Sequence, residues 1–332
     1  MSEFTFQLNE SSNLTKVQQL IHAVTQAVAT GQLKEGDFLP SVNKLNKDSG
    51  VSRDTIFKAY TKLKQQNIVA STPTKGYYIA AEKFKVFVLL DDFSSFKEQL
   101  YKNLRKNLPD RYSVDLMFHH YNEEVFESLI MTNIGRYSMY LVMNLNDGPL
   151  HPAIKKIDSD KLLVMDMGKP KLEEVSYINQ EFDKAAYDCL VEGEQLLKKY
   201  DNFYLVYPQS QTPHPKDVMK AFNRFCKNYD MKGSVINSVD DHEVKKGDAY
   251  WVIKDSHLVN IVKACHEKEL ELGVDVGVLA YNDTPMKEVI DKGITTMSID
   301  FVRMGQMAAQ YILQKQQVQT TLPTMLTVRG SL

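Results

Sequence analysis

Residues 33–79 read LKEGDFLPSVNKLNKDSGVSRDTIFKAYTKLKQQNIVASTPTKGYYI, and this stretch decides the fold of the amino-terminal region. Ser41 and Ser52 are favourable N-cap residues, because a serine hydroxyl can accept a hydrogen bond from a backbone N–H in the first turn of a helix. Gly50 lies between them and can end the first helix in a left-handed conformation. The stretch therefore predicts two short helices in quick succession.

A third helix and a hairpin complete the predicted region. Apolar residues at helical spacing upstream, between residues 17 and 28, predict the additional helix. Downstream, two strand-like runs at residues 68–69 and 77–79 flank a basic turn that contains Gly76. The second short helix carries its own apolar stripe, made of Ile56, Ala59, Tyr60 and Leu63. Helices followed by such a hairpin predict a winged helix-turn-helix domain over residues 1–80.

These motifs resemble the winged-helix domain of the GntR family of bacterial transcription regulators. The family's L-P-S, V-S-R-x-T and G-x-F/Y-V elements correspond to residues 39–41, 51–55 and 76–79, and its G-x-L-x-x-G-D turn corresponds to residues 31–37. The resemblance implies that this domain binds DNA. The residues expected to contact DNA are Ser41, Lys44, Ser52, Arg53, Thr55, Phe57, Lys58, Lys75, Gly76 and Tyr77.

The chemistry of these side chains suits a duplex. Arg53 can form two hydrogen bonds to a guanine edge or a phosphate, whereas Ser41 and Thr55 can donate to phosphates and fix the register. Gly76 lets the backbone approach the duplex closely, and Lys75 adds a positive charge beside it. The alternative interpretation is that the basic residues only form a solvated helix face.

Composition divides the chain into two electrostatically different parts. The chain has 332 residues, more than one hydrophobic core normally organises, and a formal net charge of −2. Residues 1–80 carry a net charge of +3, so the remaining residues carry −5. We therefore expect DNA affinity to be confined to the first domain, and the small positive charge to require two copies that bind together.

Several classes of protein receive no support from the sequence. The hydrophobic runs are shorter than the ~20 residues needed to span a bilayer, and no secretory signal is recognisable. We found no G-x-S-x-G, P-loop or H-E-x-x-H motif, and the cysteines are not spaced as metal ligands. The sequence thus predicts a cytoplasmic protein that is not an enzyme and needs no metal or cofactor. The cysteines, expected to be buried and reduced, are Cys189, Cys226 and Cys265.

The second part of the chain alternates short apolar runs with amphipathic stretches of helical length. This alternation predicts an α/β architecture with parallel sheets. So many strands would strain one sheet, which favours two lobes. The candidate strands are residues 85–90, 113–118, 139–143, 161–165, 203–207, 234–236, 250–253, 277–280, 296–299 and 325–328.

This part is similar to the sugar-sensing domain of LacI-type regulators, which is related to periplasmic binding proteins. The similarity is carried by residues 247–255, 272–283, 293–297 and 305–309. It implies a bilobal, periplasmic-binding-protein-like domain of two parallel-sheet α/β lobes that binds an effector in the cleft between them. The expected division is a linker at 81–84 and an effector domain at 85–332, with lobe 1 at about 85–178 and 290–317 and lobe 2 at about 179–289 and 318–332.

Polar and aromatic side chains follow many of the candidate strands. In a parallel sheet these positions meet at one edge, where a ligand cleft forms. A sugar needs paired hydrogen bonds to its hydroxyls and an aromatic ring against one face. Any single one of these residues could instead be a helix N-cap or part of the core. The expected effector contacts are Asp91, Phe93, Asn144, Asp166, Lys216, Asp255, Asn282, Asp283 and Phe301.

Together the two resemblances imply a transcription repressor of carbohydrate-utilisation genes, similar to arabinose- or fucose-responsive repressors. We expect a homodimer on an inverted-repeat operator, controlled by a monosaccharide such as fucose or arabinose. A sensor of a sugar phosphate or of another metabolite, and an enzyme that retains a DNA-binding head, remain as alternatives. An aminotransferase-like partner domain is disfavoured because the remaining ~250 residues are too few for it.

Overall fold

The computed structural model describes residues 4–73, 76–80, 83–167, 175–208, 214–240 and 242–332. The chain divides into two compact units, Met1–Phe84 and Lys85–Leu332. Among the described residues, no helix is both long enough and apolar enough to cross a bilayer.

The first unit is the predicted winged helix-turn-helix. Its elements are α1 (Lys16–Ala29), α2 (Val42–Ser49), α3 (Arg53–Gln65), β1 (Val69–Thr72) and β2 (Gly76–Ile79). The two strands pair antiparallel as the wing. The predicted apolar stripe of α3 is fully buried, and it shares one core with residues of α1 such as Leu20 and Val24.

The second unit alternates strands and helices. Its strands are β3 (Phe84–Leu90), β4 (Tyr112–Phe118), β5 (Met139–Met143), β6 (Leu162–Asp166), β7 (Ser176–Asn179), β8 (Asn202–Val206), β9 (Gly233–Ile236), β10 (Asp248–Val252), β11 (Gly277–Tyr281), β12 (Thr295–Ser298), β13 (Gln319–Thr321) and β14 (Met325–Thr327). Its helices are α4 (Ser95–Lys106), α5 (Glu123–Asn133), α6 (Lys184–Glu192), α7 (Glu194–Leu197), α8 (Asp217–Asn228), α9 (Asp255–Glu267), α10 (Pro285–Val289) and α11 (Phe301–Gln314).

The strands form two sheets, one in each lobe. Within the described residues, the first sheet has the order β13-β7-β6-β5-β3-β4 and the second the order β14-β12-β11-β10-β8-β9. Neighbouring strands from β9 through β12 run parallel, and β14 alone of the second sheet pairs antiparallel. Every residue of β5, β6, β10 and β11 is buried, as expected when helices cover both faces of a parallel sheet. The predicted α/β class with two parallel-sheet lobes is confirmed.

The chain crosses between the lobes in three places. It leaves the first sheet after β7, returns after β12 to form α11, and leaves again between β13 and β14. Helix α11 packs against α4 of the first lobe, and their approach is close at Gly305. A Cβ atom there would lie 2.3 Å from the carbonyl oxygen of Leu100, so only glycine fits without a shift of the backbone.

Two strands lie in the opposite lobe from the one expected. Strand β12 was expected in lobe 1 but belongs to the second sheet, because residues 295–297 pair in parallel with β11. Strand β13 was expected in lobe 2 but pairs with β7 in the first sheet. The expected lobe boundaries at residues 290 and 318 therefore differ from the observed crossings by several residues.

Strands β7 and β13 had no apolar run to predict them. In β7 buried and half-buried side chains alternate along the sequence Ser-Tyr-Ile-Asn. Strand β13 is a short Gln-Thr-Thr segment at the edge of its sheet, where side chains face solvent. Backbone pairing with neighbouring strands fixes both segments, and single-sequence patterns do not report such pairing.

Candidate nucleic-acid interface and interlobe cleft

Serine caps fix the two helices of the helix-turn-helix. The Ser41 hydroxyl accepts a hydrogen bond from the backbone N–H of Lys44, and the Ser52 hydroxyl accepts one from Thr55, each at 3.2 Å. The hydroxyls of Ser52 and Thr55 also lie 2.8 Å apart. Gly50 ends α2 at φ 70°. Three predicted DNA contacts thus also set the start of α2 and α3, so a change at any of them would alter helix stability as well.

The face of α3 opposite its buried stripe is open. Arg53, Phe57 and Lys58 are exposed on it, and Lys44 is exposed on the preceding helix. Lys58 pairs with Asp54 at 2.8 Å, but both side chains remain mostly exposed, so the pair holds Lys58 only weakly. A ligand as large as a duplex can reach these exposed side chains from solvent.

The wing brings Gly76 and Tyr77 to different environments. Gly76 begins β2 at φ 76°, a conformation that favours glycine, and it is exposed. Tyr77 is half-buried, and its ring packs 4.7 Å from the buried ring of Tyr60. The predicted contact Lys75 lies outside the described residues.

A cleft of about 320 Å³ lies where strands of both lobes end. Residues after β3 and β6 of the first lobe and β10 and β11 of the second line it, together with the first turn of α4 and the segment after β7. Four of the predicted effector contacts are brought together there, namely Asp91, Phe93, Asp166 and Asn282.

A buried ion pair forms one wall of the cleft. Asp91 is 1% exposed and its carboxylate pairs with the ammonium group of Lys97, which is 5% exposed. The same carboxylate accepts a hydrogen bond from the hydroxyl of Tyr121 and one of 2.7 Å from the backbone N–H of Asp92. The negative charge of Asp91 is therefore compensated within the protein, and burial beside it raises the pKa of the Tyr121 hydroxyl.

Asp166 is the second buried carboxyl of the cleft. It ends β6 at φ 64°, a left-handed conformation that turns the chain at the edge of the sheet. Burial raises the pKa of Asp166 to about 6, an effect that the nearby positive charge of Lys97 opposes. Asp166 accepts a hydrogen bond from the amide of Gln180, whose oxygen accepts one of 3.4 Å from the Tyr281 hydroxyl. This chain of hydrogen bonds joins β6 of one lobe to β11 of the other.

Aromatic rings close the second lobe's side of the cleft. The His214 ring lies 4.5 Å from the ring of Tyr281 and 5.3 Å from that of Phe182. Burial lowers the pKa of His214 to about 3, so the imidazole is neutral near pH 7. Phe93, at the mouth of the cleft, is 64% exposed and leaves its ring accessible to a ligand.

The hydroxyl oxygen of Ser94 and the side-chain oxygen of Asn282, both in residues that line the cleft, are buried without a hydrogen-bond partner among the described residues. Ser94 precedes α4, yet its side chain does not cap that helix. Buried polar groups are costly when unpaired, so a ligand with hydroxyl groups placed here would gain by pairing with them.

Three of the other predicted effector contacts lie elsewhere. The Asn144 amide donates to the Asn146 carbonyl at 2.8 Å and holds the loop after β5. The Phe301 ring is buried 4.7 Å from that of Phe96, at the start of α11. Lys216 lines a neighbouring cavity of about 380 Å³.

The remaining two, Asp255 and Asp283, form ion pairs inside the second lobe. Asp255 pairs at 2.8 Å with Lys287, a lysine that is 2% exposed. Asp283 accepts two hydrogen bonds, of 2.9 and 2.8 Å, from the guanidinium group of Arg329. The structure therefore gives both carboxylates partners other than a ligand in the cleft.

Several lining residues had no sequence signal that set them apart. They are Lys97, Tyr121, Gln180, His214 and Tyr281. Lys97 lies in the first turn of an amphipathic helix, where a lysine is normally solvated. Tyr281 ends an apolar strand and resembles a core residue. Their role in the cleft depends on the meeting of the two lobes, which a local pattern does not encode.

Two family models match the chain. Residues 16–79 match the bacterial regulatory proteins of the gntR family, and residues 196–332 match a periplasmic binding protein-like domain. The first match spans the winged helix-turn-helix, and the second spans most of the second lobe.

Curated relatives are similar over the amino-terminal region. The mannosyl-D-glycerate transport/metabolism system repressor MngR of Escherichia coli (strain K12) is 34% identical over 84 residues, which are 25% of this chain and 33% of MngR. The HTH-type transcriptional repressor YtrA of Bacillus subtilis (strain 168) is 30% identical over 94 residues, which are 28% of this chain and 72% of YtrA. The chain spans between 15% and 33% of the length of the first three curated relatives it matches.

Solved structures are similar over the carboxy-terminal region. A LacI family transcriptional regulator from Enterococcus faecium with bound ribose has a TM-score of 0.61 over 74% of this chain and 98% of that chain, at 16% identity. At this identity the likeness is one of fold. These relatives and this structure are named as transcription regulators or repressors, and none of them is named as an enzyme.

Proposed function

The chain belongs to the gntR family of bacterial regulatory proteins, and from this premise we propose that it is a transcription repressor whose DNA affinity is controlled by a small sugar bound in the interlobe cleft. The observation that carries the proposal is the pairing of an open, basic helix-turn-helix face with a polar cleft in a fold like that of sugar-binding regulators.

The DNA-binding part of the proposal assigns α3 to the major groove. Its first turn presents Arg53 and Thr55, where base edges and phosphates come within reach. Lys44 and Lys58 would contact phosphates, while Gly76 and Lys75 of the wing would follow the adjacent groove. Two copies would bind the half-sites of an inverted repeat as a homodimer, which matches the two-fold symmetry of such DNA.

The effector part of the proposal rests on the chemistry of the cleft. Its volume of about 320 Å³ lies at the small end of known ligand sites. Asp166, Gln180 and Asn282 offer acceptors and donors for hydroxyl groups, and the exposed ring of Phe93 offers an apolar face. A neutral monosaccharide has both features.

Charge disfavours a phosphorylated ligand. The described residues that line the cleft include no arginine and only two lysines, Lys97 and Lys254, and the ammonium group of Lys97 is already paired with Asp91. A doubly charged phosphate normally requires several uncompensated cations. A pentose or a deoxy sugar such as arabinose or fucose therefore fits better, and the methyl group of fucose would suit the ring of Phe93.

Coupling of the two units requires that the sugar favour one state of the cleft. A ligand shifts DNA affinity only by its differential affinity for the two states, which is typically ~1–3 kcal/mol. We propose that closure of the lobes passes through the linker 81–84, part of which lies outside the described residues, to the DNA-binding unit.

A ligand screen tests this function. The full chain is mixed with arabinose, fucose, ribose, their phosphates and a set of amino acids, and its melting temperature is measured. A sugar present at a hundred times its Kd should stabilise the protein by ~2.7 kcal/mol. The same sugar should then change affinity for a duplex selected from a random library. Failure of every sugar to do both would refute the sensor assignment.

Matched variants locate the binding site. Asp166→Asn should weaken sugar binding, because it alters a buried carboxyl that lines the cleft. Asp110→Asn changes an exposed aspartate outside the cleft and should leave sugar binding unchanged. Equal sugar affinity of the two variants would show that the sugar binds elsewhere.

A further inference from the structure

Phe57 is an exposed aromatic residue on the helix assigned to the major groove. Its side chain is 55% exposed, although phenylalanine is among the residues most often buried. Single exposed apolar residues are common on protein surfaces, so exposure alone assigns no role. The position of Phe57 on α3 is what distinguishes it.

Phe57 shares the open face of α3 with Arg53. The two residues are four positions apart, so their side chains lie one helical turn from each other. The buried stripe of α3 faces the core of the first unit, which leaves this pair on a side that α1 and the wing do not cover. A duplex contacted by Arg53 would also meet the ring of Phe57.

A second exposed phenylalanine in the same unit provides a contrast. Phe38 is 57% exposed, but it pairs with β2 and its ring lies 6.2 Å from that of Tyr78. Among the described residues, no aromatic ring packs against Phe57. Phe38 thus has a role in the wing, whereas the Phe57 ring has no partner of this kind within its own unit.

We propose that Phe57 reads a thymine by contact with its 5-methyl group, one helical turn along from the base or phosphate bound by Arg53. This inference rests on the proposed DNA-binding function and adds the identity of a base. The major groove presents one exposed methyl group, that of thymine, among polar base edges. A phenyl ring has no donor or acceptor for those polar edges, so its favourable contact is with the methyl group. A base without this methyl group would place an unpaired polar edge against the ring, which disfavours that base.

Replacement of single thymines by deoxyuridine tests whether the protein contacts the 5-methyl group. The full chain first selects its preferred duplex from a random library, and its affinity is measured by fluorescence anisotropy at fixed salt. Each thymine is then replaced by deoxyuridine, which removes only the methyl group. At one thymine in each half-site the affinity of the unaltered protein should fall about fourfold, the value for loss of one buried methyl-sized group.

Variants assign that loss to a residue. In Phe57→Ala the deoxyuridine penalty at this thymine should disappear, and in Phe57→Leu it should be smaller but present. In Phe38→Ala the penalty should equal that of the unaltered protein. Loss of an exposed side chain should leave the melting temperature of Phe57→Ala nearly unchanged, which separates a DNA contact from a folding defect.

The outcomes distinguish this inference from the proposed function. If the chain enriches no duplex, DNA binding itself is wrong. If it enriches a duplex but no deoxyuridine lowers the affinity, or if the penalty persists in Phe57→Ala, then DNA binding stands and the thymine contact of Phe57 is refuted.

Discussion

Replacing Lys97 with methionine should strongly destabilise the second unit. The ammonium group of Lys97 pairs with the Asp91 carboxylate, and the two residues are 5% and 1% exposed. Methionine keeps most of the volume of the lysine stem but leaves Asp91 buried without its counter-charge. Breaking a buried pair in this way costs ~3–5 kcal/mol, and the lower figure applies here because Asp91 retains the Tyr121 hydroxyl and a backbone N–H as donors.

The assay follows unfolding in urea by far-UV circular dichroism and by tryptophan fluorescence. Trp251 is the one tryptophan in the sequence and is fully buried in β10, so its emission reports the second unit. A loss of 3 kcal/mol should also lower the melting temperature of this unit by about 6–12 °C. The double variant Asp91→Asn/Lys97→Met should recover most of the loss, because a neutral pair replaces the ion pair.

A surface pair on the same helix provides the control. Lys102 and Glu98 of α4 lie 2.6 Å apart, with side chains 68% and 43% exposed. Lys102→Met should therefore change stability by less than about 1 kcal/mol. Two results would show that the buried pair is not the source of the stability. In the first, Lys97→Met costs no more than Lys102→Met. In the second, the double variant loses as much stability as Asp91→Asn and Lys97→Met lose together when each is made alone.

Three further changes test other parts of the second unit. Burial raises the folded-state pKa of Asp166 to about 6 from 3.8, so the folded state binds this proton more tightly and stability falls as pH rises through that interval. Asp166→Asn should remove this loss of stability, which is measured as the urea midpoint at a series of pH values between 4 and 7. The same pH dependence of the midpoint in both proteins would contradict the prediction. Asp283→Ala removes both charge-assisted hydrogen bonds to Arg329 and should lower stability by about 1.5–3 kcal/mol in scanning calorimetry, while the affinity for the proposed sugar, measured by titration calorimetry, stays unchanged. Gly305→Ala places a Cβ 2.3 Å from the Leu100 carbonyl oxygen and should cost about 1–3 kcal/mol in urea unfolding; an unchanged midpoint would mean that α4 and α11 can separate freely.

Apolar runs were sufficient to predict most strands of the second unit, whereas its division into lobes was implied by the resemblance to LacI-type regulators. Strands such as β5 and β11 are buried along their whole length, so each is a continuous apolar run that stands out from its flanks. Strand β13 consists of Gln-Thr-Thr at a sheet edge and produces no such run. The crossings between lobes were misplaced at β12 and β13 for a related reason, since pairing partners rather than local composition decide which sheet a strand joins.

Residues that directly follow a strand were correctly predicted to lie at the edge of the sheet, but the residues with which they form hydrogen bonds or ion pairs were not predicted. Asp91 and Asp166 both lie in the cleft, as their positions directly after β3 and at the end of β6 indicate. Asp283 follows β11 in the same manner, yet Arg329 from the carboxy-terminal segment reaches its carboxylate first. Arg329 lies 46 positions away in the sequence, so no local pattern could have paired them.

The hydrogen bonds of Gln180 tie the chemistry of the cleft to the separation of the lobes. Gln180 lies in the segment that leaves the first sheet. Its side-chain N–H donates to Asp166 of the first lobe, and its side-chain oxygen accepts a hydrogen bond from the hydroxyl of Tyr281 in the second lobe. A ligand that displaces Gln180 from this oxygen of Asp166 breaks the link between the lobes unless its own hydroxyls replace it, whereas a ligand that binds the other carboxylate oxygen can leave the link in place. A compound with hydroxyls on both sides of its ring can bridge Asp166 and Tyr281 itself, whereas one with a single polar side cannot. Under the proposed function, the number and placement of hydroxyl groups, more than total size, should therefore decide which effectors hold the two lobes together.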